Sequence, residues 1–126
     1  MADDQSKPLQ FSRAMRIRQS REFARARQEG RRVVHGCLIA NWLRLPAGAS
    51  TRLGVVTSGK IGGAVVRNRA RRLLREAFRL HQHDLSQPVD LILVARASIA
   101  GKNFGEVEKD FLNSLRKTGL LKETIG

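Results

Sequence analysis

The chain has 126 residues, enough for one domain around a single core. Its 24 Lys+Arg against 11 Asp+Glu give a formal net charge of +13, the footprint of a polyanion binder, although a basic membrane-surface protein shares such a charge. One cysteine, Cys37, excludes an internal disulfide; no apolar run suits a membrane span, and Met-Ala-Asp-Asp lacks a signal peptide's basic-then-apolar order, so a soluble cytoplasmic protein is expected.

Residues 1–14 (MADDQSKPLQFSRA) are polar, contain Pro8 and hold no sustained period, which predicts a mobile N-terminal tail before a single domain over 15–122. From Arg13 to Arg32, eight arginines stand against Glu22 and Glu29. Ser20 suits an N-cap, Glu22 a first turn and Gly30 the position after a helix end, predicting a short helix over 21–29. Phe23 is its one large apolar residue. Residues 31–35 and 37–45 read as extended, being β-branched and aromatic without a helical period, and Cys37 reads as a buried thiol. Pro46-Ala47-Gly48-Ala49-Ser50 is a turn into a strand over 51–57, expected antiparallel to the one before. The glycine-rich Ser58–Gly63 segment either offers backbone N–H groups to an anion or only lets the chain turn sharply. It lacks the Gly-Lys-Ser/Thr ending of a nucleotide-binding loop.

From about Ala64 the spacing predicts a helix ending near 80–83, with Pro88 enforcing the stop. Val66, Ala70, Leu73, Leu74, Ala77, Phe78 and Leu80 share one arc, a core-facing stripe. Asn68, Arg71, Arg72, Arg75 and Arg79 share the opposite side, and Arg67, Arg71, Arg75 and Arg79 form an i, i+4 row. Each like-charged pair costs a helix about 0.2–0.5 kcal/mol, and Arg67 and Arg69 sit at the end the macrodipole makes unfavourable to cations. A charged helix face is usually a solvated one, with mixed signs. Here seven Lys/Arg meet one acid, Glu76, between Lys60 and Leu80, so a polyanion is expected to complete the face.

Val89–Ala95 (VDLILVA) reads as a buried central strand. Asn103 and Glu106 have capping-box spacing, Phe104, Val107, Phe111, Leu112, Leu115 and Thr118 share one helical face, and Gly119 closes that helix. The order αβββαβα predicts an α+β fold with helices on a mainly antiparallel sheet of about four strands.

A self-sufficient metal nuclease needs clustered carboxylates, and none forms a convincing motif: Glu106, Glu108 and Asp110 alternate within one helix and diverge. His81, His83 and Asp84 suit a solvated helix end better than a metal site, and no Ser-His-Asp or Cys-His signature is present. No catalytic residue, resident metal or bound cofactor is therefore expected.

Lys60-Ile61-Gly62, Ala64-Val65, Arg67-Asn68-Arg69, Arg71-Arg72, Arg75-Glu76 and Phe78-Arg79 together resemble the signature of the bacterial ribonuclease P protein subunit family, with weaker similarity over most of the remaining chain. The resemblance implies that the basic helix lies in a left-handed βαβ crossover, an exception to the usual hand. It also implies an accessory subunit of an endoribonuclease whose RNA, with Mg2+, removes the 5′ leader of precursor tRNA while the protein binds both RNAs. Lys60, Arg67, Asn68, Arg69, Arg71, Arg72 and Arg75 match the family's basic motif, and Arg79 extends the row. Phe23 matches an aromatic position of the leader cleft, where bases meet ring faces, or is a core phenylalanine; Arg96 matches an arginine after the last strand. Two positions usually aromatic in the family are Arg27 and Asn41 here, and Trp42 beside Asn41 falls on the other sheet face. The cleft is then expected to use charge and hydrogen bonds more than stacking. A non-catalytic RNA-binding module of similar fold, a ribosomal protein or RNA chaperone, is the competing reading.

Overall fold

The computed structural model describes Arg16, Ile17 and residues 20–122; the expected tail over 1–14 and the side chains of Ser20, Glu22 and Arg27 lie outside the described residues. Helix α1 (Ser20–Glu29) is followed by strands β1 (Arg31–His35), β2 (Leu38–Arg44) and β3 (Arg52–Val56). Helix α2 (Ala64–His81), strand β4 (Val89–Ala95) and helix α3 (Phe104–Thr118) complete the order αβββαβα. The sheet is four-stranded in the order β1-β2-β4-β3.

Strands β1 and β2 form an antiparallel hairpin with His35 opposite Leu38, leaving Gly36 and Cys37 as a two-residue loop. Gly36 takes φ 57°, the positive value that a primed hairpin turn requires, and a Cβ there would strike the Asp110 carboxylate. That carboxylate reaches in from α3 and accepts the Cys37 backbone N–H at 3.0 Å.

Strand β4 enters between β2 and β3, antiparallel to β2 and parallel to β3. The sheet is therefore mixed, and β3 does not pair with β2 as the chain order suggested. It runs opposite to β2 but bonds only to β4 among the named strands. A parallel pair needs a crossover connection, and α2 supplies it.

Side chains alternate across β4 and define two layers. Val89, Leu91, Leu93 and Ala95 join the main core with Leu74, Ala77 and Phe78 of α2 and Phe111 and Leu115 of α3. Ile92 faces the other way and packs with Ile17 and with Ala26 of α1, flanked by Phe23, Val56 and Val94. Helix α3 starts with a complete capping box between Asn103 and Glu106 and ends at Gly119 with φ 75°.

One ion pair fixes the parallel register. Arg52 stands opposite Asp90, and its guanidinium donates twice to that carboxylate, at 2.9 and 2.8 Å. The Asp90 side chain is only 3% exposed. We expect Arg52→Met to cost about 3–5 kcal/mol in denaturant unfolding, since it strands a buried charge, and the added change Asp90→Leu to recover most of that loss.

Candidate nucleic-acid interface

Helix α2 is attached by its apolar stripe, and its opposite side is a surface of guanidinium groups. Arg16, Asn68, Arg71, Arg72, Arg75, Glu76 and Arg79 line an open groove of about 560 Å³. Among the described residues the groove has one carboxylate, and it is already occupied: Arg79 grips Glu76 with two bonds, at 2.9 and 2.7 Å, which hold the Glu76 carboxyl below its ordinary range. Arg71 donates to the Asn68 amide oxygen at 2.6 Å. Arg75 has its pKa lowered by burial, then by Arg16 and Arg71, the mark of positive charge crowded into one place.

Other members of the basic set point elsewhere. Arg69 turns toward α3 and donates to the Lys102 carbonyl at 2.7 Å. Arg67 leans back over the helix start to the Gly62 carbonyl at 3.4 Å. Lys60 is exposed in the short 3-10 turn Gly59–Ile61. Neither an acidic residue in the first turn nor a side-chain cap offsets the positive end of α2.

The α1 face of the sheet carries the other candidates. The half-buried Phe23 ring lies over Gly54, where a Cβ would come within 2.8 Å of two ring carbons. Glycine at this position is what lets the ring approach the strand. Phe23 is thus part of the smaller apolar cluster and also a wall of a cavity of about 270 Å³ shared with Arg16, Ile17, Gly54 and Arg75. Asn41 is 7% exposed, has no side-chain hydrogen bond among the described residues, and lines a separate cavity of about 400 Å³ with Arg32, Ile39 and Val94. Trp42 lies across the sheet in the main core, as the alternation requires. Arg96 does not join either cavity's lining: it donates to the Gly36 carbonyl at 3.0 Å, clamping the β1–β2 turn. Arg16 escaped the sequence reading. Its one signal was the polar-apolar-polar order Arg16-Ile17-Arg18, a single edge-strand repeat within a long basic run.

The family model for ribonuclease P matches residues 11–119. The chain belongs to the ribonuclease P protein family. It is 39% identical over 105 residues to the ribonuclease P protein component of Syntrophomonas wolfei, covering 83% of this chain and 87% of that one. The ribonuclease P protein of Thermotoga maritima has a similar structure, with a TM-score of 0.72 and 26% identity over 81% of this chain and 96% of the other. The Staphylococcus aureus protein shares the fold at a TM-score of 0.79 and 24% identity, covering 87% of this chain and all of that one. The chain is thus a protein component of ribonuclease P, with an RNA partner and a role in tRNA processing. Among the described residues no helix is long and apolar enough to cross a membrane.

In this ribonuclease P protein, the histidines at the end of α2 have structural partners. His81 sits between two carboxylates, with Nδ1 at 3.0 Å from Asp84 and Nε2 at 2.7 Å from Glu108 of α3. Among the described residues no group of three His, Cys, Asp or Glu side chains could hold a metal ion. Cys37 is buried, and burial together with Asp110 pushes its thiol up to about 12, leaving it protonated and unreactive at neutral pH. Burial would lower the His81 pKa, but the bonds to Glu108 and Asp84 outweigh it and raise the value above 6.5. The charged imidazole thus stabilises the α2–α3 junction fully below pH 6.5, and that contribution is lost as pH rises through the raised value. Stability should therefore fall above pH 6.5 in the unaltered chain and show a flatter profile in His81→Gln, measured by urea unfolding across pH.

Proposed function

We propose that this chain binds the RNA subunit of ribonuclease P through the α2 groove and guides the 5′ leader of precursor tRNA across the α1 face of the sheet. The observation that carries this reading is the groove itself, whose lining arginines face, among the described residues, a single carboxylate already gripped by Arg79. Phosphate oxygens match guanidinium forks in shape and charge, and each phosphate neutralised releases condensed counterions. Arg71, Arg72 and Arg75 are the central phosphate ligands, with Asn68 and Arg79 beside them and Lys60, Arg67 and Arg69 extending the basic surface toward the helix start.

On the other face, Phe23 offers a ring edge to an unstacked leader base, and the Asn41 amide, almost buried and with no side-chain partner among the described residues, suits a base edge. Arg27 of α1 and Arg96 after β4 are the further basic candidates for the leader. Hydrolysis belongs to the RNA subunit and its Mg2+ in this reading, and the protein contributes binding energy and charge compensation rather than a catalytic group. Cytoplasmic location follows from the substrate.

Reconstitution tests the reading directly. The protein alone should leave precursor tRNA intact, and added to a bacterial ribonuclease P RNA it should restore cleavage at magnesium levels where that RNA alone is slow. Cleavage by the RNA-free protein, or no gain on mixing, would reject it.

The double variant Arg71→Gln, Arg75→Gln separates binding from folding. Relieving the row should leave the free protein unchanged or more stable by about 0.2–0.5 kcal/mol per relieved pair. Affinity for the RNA subunit should fall, and the slope of log affinity against log salt should become shallower by about 0.7–0.9 per arginine removed.

A further inference from the structure

The α2 groove and the Phe23 cavity meet at a shared wall, because Arg16 and Arg75 line both. Arg16 reaches this junction through its backbone. The Ile17 N–H donates to the Leu53 carbonyl at 2.9 Å, and Arg16 stands in a parallel bridge with Leu53 at the outer edge of β3. The Ile17 side chain is 5% exposed and packs with Ala26 and Ile92. The short segment is thus anchored on the strand, and it delivers an exposed guanidinium beside the arginine row of α2.

Charge at the junction is dense enough for Arg16 and Arg71 both to act on Arg75. Guanidinium groups keep their protons at neutral pH, so a phosphate held between Arg16 and Arg75 would offset this crowding. The cavity beyond the junction adds one element that the groove lacks: beside the two guanidinium groups its walls include the Phe23 ring, with Ile17, Leu53, Gly54 and Val55. Phosphate-binding groups beside an aromatic recess form the combination that holds single-stranded nucleic acid.

We propose that Arg16 and Arg75 form one phosphodiester seat at which a single RNA strand passes from the α2 groove onto the Phe23 face, its phosphate between the two guanidinium groups and an adjoining base in the Phe23 recess. The proposal rests on the RNA-binding reading above and assigns Arg16 a role that joins the two surfaces. The phosphodiester belongs either to the leader of precursor tRNA or to an unpaired stretch of the RNA subunit, and the chemistry at the seat is the same for both.

The test uses the full chain with Arg16→Gln and, separately, Arg16→Lys. Each is titrated against a bacterial ribonuclease P RNA, and each reconstituted complex is then titrated with precursor tRNA and with mature tRNA over a series of KCl concentrations. Arg16→Gln should weaken binding about tenfold at low salt, with a log–log salt slope shallower by about 0.7, while Arg16→Lys keeps most of the slope. A loss confined to precursor tRNA assigns the seat to the leader, and a loss in the RNA-subunit titration assigns it to that RNA; both support the seat. Unchanged affinity and slope in every arm, with the unaltered chain binding normally, overturns the seat and leaves the RNA-binding reading standing. Equal losses in both variants, accompanied by lower melting temperatures, also overturn it by showing that Arg16 only anchors its segment. If the unaltered chain binds neither RNA, the underlying reading fails first.

Discussion

Everything in this molecule depends on holding a self-repelling helix in place. The like-charged neighbours along α2 oppose it by about 0.2–0.5 kcal/mol per pair. The other side of the helix buries Leu74 and Phe78 completely, and fully burying side chains of this size contributes about 1.5–3 kcal/mol each. Burial therefore exceeds repulsion, and the helix can carry an arginine surface without unfolding. Ala70 and Ala77, also buried, let α2 lie close to its neighbours. The position of the helix as the crossover between β3 and β4 ties this charged face to the central strand of the sheet.

The two faces of the sheet divide the remaining work. One supports α2 and α3 through the large core, and the other supports α1 through a small cluster in which Phe23 is only half buried. A thin cluster leaves cavities along its margin, and those cavities hold the candidate contacts for unpaired RNA. The same economy of apolar residues that gives α1 a modest hold also leaves its ring accessible.

Much of this was legible in the sequence where the signal is local. The bounds of α2, the capping box of α3 and the buried run of β4 follow from periodicity, short-range hydrogen bonding and hydrophobicity, each confined to a few neighbouring residues. The pairing of β3 with β4 was not legible, because a strand's alternation says which face is buried and not which strand lies beside it. Asp90 looked like an isolated acid in an apolar run until its partner Arg52, distant in sequence, appeared opposite it. Arg69 matched the family's basic motif by sequence, yet tertiary contact turned it to the Lys102 carbonyl. Arg96 matched a family position by sequence, and its bond to Gly36 depends on the end of β4 lying beside the β1–β2 turn, a contact between segments distant in sequence. Arg16 was one arginine among eight until backbone pairing singled it out.

The edges of the sheet have a consequence for the protein when no RNA is present. Open strand edges are templates for pairing between copies of a chain, and charged side chains are a common defence. Strand β1 is one edge, where Arg31, Arg32 and Val34 are exposed, while the pairing of Ile17 with Leu53 partly covers the edge at β3. The defence at β1 is electrostatic, and it weakens as salt shortens the screening length from about 10 Å at 0.1 M to about 3 Å at 1 M. Strong salt, the usual means of stripping nucleic acid from a basic protein, thus also removes the repulsion that opposes self-association through this edge.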